Sequence, residues 1–238
     1  MTKIAQTKNY SKLNDAYSKL SDKREQDDSF CLVYGAPGLG KTLCSCNVLI
    51  RANGIFLRAM PGWTQKAVVR KLLNELGQDF RGTNAEGLEE VIRLVGENQR
   101  PIFVDEADFL FNDSRCLETL RAVHDSAGVP VILVGMTTLP GAQGIDRRIK
   151  RYPQISSRIT QWCEFLPADW QDIRAIAQTC CDVEVEDDLL EKLLLQSRGN
   201  FRLIRRAMVK IGRKAKLLRT QSISSAQYGD DELFFQAS

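Results

Sequence analysis

"GAPGLGKT", residues 35–42, stands between the apolar run "FCLVY" (30–34) and the stretch "KTLCSCNVLIRA" (41–52). The apolar run predicts a short buried strand, and the stretch after the glycines predicts a helix. The octet fits G-x-x-x-x-G-K-[ST], and strand–loop–helix is the setting that motif requires. In such a turn, backbone N–H groups and the helix N-terminus face phosphate oxygens. The expected cradle for a nucleoside triphosphate is therefore Gly35, Ala36, Pro37, Gly38, Leu39, Gly40, Lys41, Thr42 and Leu43. Lys41 is expected to reach the β- and γ-phosphates, and the Thr42 hydroxyl to ligate Mg²⁺.

The second element is "PIFVDEADFL" (101–110), in which Ile102, Phe103 and Val104 predict a buried strand ending in two acids. Asp105 is expected to hold Mg²⁺ through its water shell, and Glu106 to orient the attacking water. The letters D-E-A-D also invite a helicase reading. Helicases of that kind need tandem core domains, and a chain of 238 residues has room for one core and a small appendage.

Outward from these motifs, short apolar runs recur at Ile55–Leu57, Ile102–Val104, Val131–Val134 and, more weakly, Trp162–Phe165. Helical spacing separates them, as in Val68, Val69, Leu72, Leu73 and Leu76, in Leu88, Val91, Ile92 and Val95, and in Leu117, Leu120 and Val123. Strands alternating with helices predict an α/β fold, a parallel sheet covered on both faces. After Pro167 the strand signal stops, and helices are expected at about 169–181, 186–197 and 200–218. Tyr10, Leu13, Tyr17 and Leu20 predict an amphipathic helix before the core. The expected division is 1–28 N-terminal helix and linker, 29–167 nucleotide core, 168–218 helical domain and 219–238 disordered tail.

Composition narrows the classes. With 43% hydrophobic and 26% charged residues, the chain reads as an ordinary globular protein. Its first ten residues lack the apolar centre of a signal peptide, and no apolar run approaches the roughly 18 residues of a membrane span. A cytoplasmic protein without a membrane partner is the expectation. Seven cysteines, an odd number with no C-x-x-C pair, point to reduced thiols, including the adjacent Cys180 and Cys181. The single histidine, His124, lies in a helical stretch with no nucleophile motif around it and is not expected to be catalytic. A net charge of +3 says little by itself, but Arg198–Arg219 carries nine Lys or Arg and no acid.

"GAPGLGKT", the acids of "IFVDEAD" (102–108), the further strand "VPVILVGMTT" (129–138), "ISSRI" (155–159) and the helical "GNFRLIRRA" (199–207) together resemble an AAA+ ATPase. Within that superfamily the chain is most similar, over about residues 25–215, to phage Mu transposition protein B and related transposon ATPases that select target DNA. The resemblance implies a P-loop core with a five-stranded parallel sheet, a small all-helical lid, and ATP hydrolysis with Mg²⁺. It implies a first sensor at Thr137, with Thr138 in reserve, because Met136 interrupts the place where that branch carries Asn or Thr. It implies a finger arginine at Arg158, with Arg151 as rival, and a second sensor at Arg202. The implied partners are double-stranded DNA, further copies of the chain in a ring or filament, a transposase and a target-selection protein. The chain departs from phage Mu protein B in having only about 30 residues before the core, too few for a separate helix-turn-helix domain.

DNA contact is therefore expected from the ATPase core. Lys66, Arg70 and Lys71 of "WTQKAVVRK" predict a basic helix face, and Arg147, Arg148, Lys150 and Arg151 of "DRRIKRYP" predict a basic loop. Alternative readings keep the ATPase as a helicase loader or as a nucleotide-gated scaffold that never touches DNA. A small-molecule kinase fits badly, since it needs neither a finger arginine nor a basic lid helix.

Overall fold

Strand β1 (Phe30–Tyr34) is flanked by parallel neighbours on both sides, which is why its residues 30–33 are fully buried. A computed structural model describes residues 4–22, 29–139, 142–229 and 233–234. Two compact units emerge. One comprises Lys12–Pro37 and Lys41–Glu164, the other Met1–Ser11, Gly38–Gly40 and Phe165–Ser238.

In the first unit, α1 (Lys8–Leu20) contributes from Lys12 onward, with Leu13 buried and the Tyr17 ring 6.1 Å from that of Phe103. After β1 come α2 (Lys41–Arg51), β2 (Ile55–Arg58), α3 (Gln65–Glu75), α4 (Asn84–Asn98), β3 (Ile102–Asp105), α5 (Ser114–Ala127) and β4 (Val131–Val134). An antiparallel pair of two-residue strands, β5 (Thr138–Leu139) and β6 (Ala142–Gln143), precedes the short helices α6 (Ile145–Arg148) and α7 (Pro153–Ser156), then β7 (Ile159–Glu164). The five longer strands form one parallel sheet in the order β2-β3-β4-β1-β7. Apolar faces of the helices close over it: Val68, Val69, Leu72 and Leu73 from α3, Val91 and Val95 from α4, and Leu117, Leu120 and Val123 from α5 share one core with the strands.

The fifth strand lies three residues earlier than the apolar signal at 162–165 suggests. β7 is the sheet edge, so only Ile159 and Cys163 are buried while Thr160 and Glu164 are exposed. An edge strand half in water shows no continuous apolar run.

The second unit holds α8 (Trp170–Cys180), β8 (Glu184–Val185), α9 (Asp187–Ser197), α10 (Phe201–Leu218), β9 (Ser222–Ile223) and α11 (Ser225–Tyr228). Its core is Ile173, Ile176, Leu189, Leu190, Leu193, Ile204, Met208 and Ile211 with their neighbours. The Asn200 side chain caps α10, accepting from the N–H groups of Arg202 (3.1 Å) and Leu203 (3.2 Å). The stretch expected to be a disordered tail differs. β9 pairs in parallel with β8, and Ile223, Tyr228 and Leu233 are buried in the helical core. Three apolar residues so widely spaced have no period to read, and their burial depends on the surface they meet. Residues 230–232 and 235–238 of that stretch lie outside those described. No helix of the described residues is long and apolar enough to cross a membrane.

Candidate functional site

The loop between β1 and α2 turns through backbone that only glycine adopts readily, with φ of +83° at Gly38 and +87° at Gly40. A Cβ at Gly38 would in addition stand 2.5 Å from the Asn200 side chain. Lys41, the first residue of α2, is buried, and its Nζ donates to the carbonyls of Gly35 (2.8 Å) and Ala36 (2.9 Å). A cation is thus folded into the concave side of a loop that ends in a helix N-terminus. The first turn of α2 contains no acid. Charge and helix dipole both favour an anion there.

Asp105 ends β3 and is 4% exposed. Three donors converge on it. The Thr42 hydroxyl lies 3.1 Å from Oδ2 and 3.3 Å from Oδ1, Arg58 Nη2 donates to Oδ2 at 3.2 Å, and the Glu106 N–H to Oδ1 at 3.0 Å. Sheet register sets the arginine in place, because Arg58 is directly opposite Asp105 on β2. Glu106 is half-buried and takes a left-handed conformation, φ 53° and ψ 36°, that costs a non-glycine residue about 1–2 kcal/mol. Strain of this kind is found where the surrounding structure needs a side chain turned out of its strand.

The tip of β4 runs alongside. Thr137 is half-buried and its N–H donates to the Gly35 carbonyl at 3.3 Å. The Met136 N–H donates to Oδ2 of the buried Asp108 at 2.9 Å, and burial raises the Asp108 carboxyl above its ordinary range. The side chain of Thr138 is outside the described residues. Arg58 and Asp108 escaped the sequence reading. Asp108 was visible as the last letter of D-E-A-D, whereas Arg58 needed the register of β2 on β3.

The arginines divide. The Arg202 N–H donates to the Gly38 carbonyl at 3.0 Å, so the start of α10 meets the loop glycine. Arg158 does not join this cluster. Its guanidinium forks onto Asp125 (2.7 and 2.9 Å) and donates to the Gln154 carbonyl (2.6 Å). Its carbonyl accepts from Phe30, at the start of β1, whereas the loop follows the end of that strand. At about 3.3 Å per residue, the length of β1 separates the Arg158 backbone from the start of the loop by roughly 16 Å.

Among the expected DNA contacts, Lys66, Arg70, Arg147, Lys150 and Arg151 are exposed, while Lys71 pairs with Glu75 at 3.0 Å. The basic "loop" is corrected to helix. Residues 145–148 are α6 and 149–151 a 3₁₀ turn, anchored by the buried Ile145 and Ile149 at i, i+4 spacing. Its cations are partly engaged: Arg148 donates to the Asp108 carbonyl at 3.1 Å and stacks on Phe111, Arg151 donates to Gln143, and Lys150 lies over Trp162. His124 is buried, Nδ1 2.8 Å from the Val129 carbonyl. All seven cysteines are free, and burial pushes the Cys44 thiol up to about 12.

No group of three His, Cys, Asp or Glu among the described residues could hold a metal by itself. The donor set of Thr42 hydroxyl and Asp105 carboxylate is nevertheless the hard-oxygen chemistry that suits Mg²⁺ when phosphates and water complete the shell.

A profile of the family described as AAA domain matches residues 23–142. A "Potential ATP-binding protein" of Staphylococcus aureus is 33% identical over 233 residues, 76% of this chain and 79% of that protein. Among solved structures, the Aeropyrum pernix ORC1 protein in complex with DNA superposes with a TM-score of 0.59 at 18% identity, covering 95% of this chain and 64% of that one. The Thermotoga maritima RuvB Holliday junction branch migration motor gives 0.60 at 20% identity, covering 94% and 67%. The chain thus spans about two thirds of these structures' length, and the likeness is one of fold.

Proposed function

The chain belongs to the AAA domain family, and from that premise we propose that it is an ATPase whose ATP-bound form assembles on DNA and recruits a transposase to the target. The observation that carries the ATPase reading is the meeting of Thr42 with Asp105 beside the buried Lys41.

On this reading the loop N–H groups and Lys41 bind the β- and γ-phosphates, and Lys41 exchanges its two carbonyl contacts for phosphate oxygens. Thr42 and Asp105 would hold Mg²⁺, which when bound neutralises charge developing between the β- and γ-phosphates. Glu106, turned out of the strand, orients the water that attacks phosphorus. Thr137 fixes that water or the γ-phosphate from the tip of β4, and Arg202 reaches the phosphates from the start of α10. Arg158, at the far end of β1 from its own loop, serves the site of a neighbouring copy.

DNA binding is supported by exposed Lys66 and Arg70 on α3 and Arg147 on α6, and by the fold shared with the DNA-bound ORC1 protein. The transposase as client, a filament or ring as assembly, and the cytoplasm as location rest on the resemblance to transposon target-selecting ATPases. The test is duplex binding by anisotropy with ATP, ADP and a non-hydrolysable analogue, followed by electron microscopy. Tight binding with ATP and the analogue, weak binding with ADP, and protein coating the duplex are expected. Equal affinity in the three states would remove ATP gating, and absence of binding would leave a scaffold.

A further inference from the structure

We propose that the outward face of α10 is a binding surface for the phosphate backbone of double-stranded DNA, a deepening of the function proposed above that rests on its DNA reading. The helix spans Phe201–Leu218 and buries Ile204, Ala207, Met208, Ile211 and Ala215 along one side. At 100° per residue the opposite side gathers Arg205, Arg206, Arg213 and Lys216 within an arc of about 100°, over a length of roughly 16 Å. All four are exposed, and α10 contains no acid. Among the described residues Arg205, Arg206 and Arg213 make no ion pair or hydrogen bond through their side chains, in contrast to Arg148, Arg151 and Lys71. Lys216 is partly neutralised by Asp182 at 3.0 Å. A Cβ at Gly212 would meet nothing within 4 Å, so the flank of the stripe is open.

A row of like charges on one helix face destabilises that helix in isolation, and here no i, i+4 acid offsets it. A polyanion does. Arg205 and Arg206 stand about two helical turns, roughly 10 Å, from Arg213, with Lys216 about one turn further, and duplex DNA carries one phosphate per 3.4 Å of each strand, so each arginine finds a phosphate within its reach. Arginine's planar fork matches phosphate oxygens two at a time. An anionic membrane suits the face less well. A membrane-surface helix sinks its apolar side into lipid, whereas the apolar side of α10 is already the core of its own unit and only Val209 and Leu217 protrude with the cations.

The test compares the full chain with Arg205→Ala/Arg206→Ala/Arg213→Ala, with the corresponding triple lysine variant, and with Lys66→Ala/Arg70→Ala. Anisotropy of a labelled duplex is read with a non-hydrolysable ATP analogue across a salt series. Arg202 is left intact, since the function proposed above assigns it to the nucleotide. The alanine triple is expected to lower the slope of log K against log salt by about 2.7, at about 0.9 per phosphate released. Between 50 and 200 mM salt the wild type should then lose about 40-fold more affinity than that variant. The lysine triple should keep the slope, nucleotide binding should stay at the wild-type value in all variants, and thermal unfolding of the alanine triple should be at or above that of the wild type. If the wild type binds DNA and the alanine triple binds with the same affinity and slope, the α10 surface is wrong and the DNA reading survives. Should the wild type bind no DNA in any nucleotide state, both fall. Binding to phosphatidylserine vesicles but not to the duplex would also overturn the proposal.

Discussion

Asp105 accepts three hydrogen bonds in a nearly dry position, so its role is separable from those of its neighbours by substitution. Lys41→Ala removes the loop's only buried cation and should abolish nucleotide binding, read by fluorescent-nucleotide titration. Glu106→Gln keeps the shape and the Asp105 contact of its backbone, so it should bind ATP normally while kcat falls by a factor of about 10² or more. A wild-type rate in Glu106→Gln would relieve this residue of the water-orienting role. Asp108 gives a pH signature. Burial raises its carboxyl in the native state, so its stability contribution is fully present below about pH 4 and is lost as pH rises through the higher native value. Asp108→Asn retains an acceptor for the Met136 N–H and removes that loss. Its urea midpoint should therefore gain on the wild type as pH is raised, whereas equal pH profiles would show that Asp108 titrates normally.

At the scale of elements, most helices and strands stand where their periodicity puts them, because each buries one regular face against the sheet or its own helical core. The cap matters to α10, since like charges at Arg205, Arg206 and Arg213 line its outward face with no acid in the helix to offset them. Asn200→Ala deletes the acceptor for two orphan N–H groups and should cost about 1 kcal/mol, seen as a lower urea midpoint at unchanged m-value. Gly38→Ala attacks the same contact from the loop. The left-handed φ and the 2.5 Å approach to Asn200 should together weaken ATP binding more than Asn200→Ala does, by titration of both variants.

For the whole molecule, the roughly 16 Å of β1 between the Arg158 backbone and the start of the loop makes a complementation test decisive. Arg158→Ala should bind ATP without hydrolysing it, and mixing it with Lys41→Ala should restore part of the activity, since a mixed interface can pair an intact loop with an intact arginine. Mixed oligomers that form without any rescue would rule out a shared site. Release of Arg158 from Asp125 must precede such use, so Asp125→Ala should not lower hydrolysis as Arg158→Ala does.

The amino-acid sequence by itself determined the strand, glycine loop and helix at 30–51, the strand that ends at Asp105, the parallel α/β order and the three helices after Pro167, because local spacing encodes each of them. Glycine, lysine and threonine at fixed intervals have one economical reading, and apolar periods of two and 3.6 declare themselves without knowledge of the partner surface. Tertiary structure alone decided which cations are available. Arg148 and Arg151 read in the chain like Arg205 and Arg213, yet a carbonyl and an amide brought in by folding engage the first two, whereas the Lys71–Glu75 pair follows from i, i+4 spacing along α3. It also decided the partners of Asp105, the edge position of β7 and the burial of Ile223, Tyr228 and Leu233. These depend on register and on surfaces distant in sequence, and a short-range pattern carries no information about what lies across a contact.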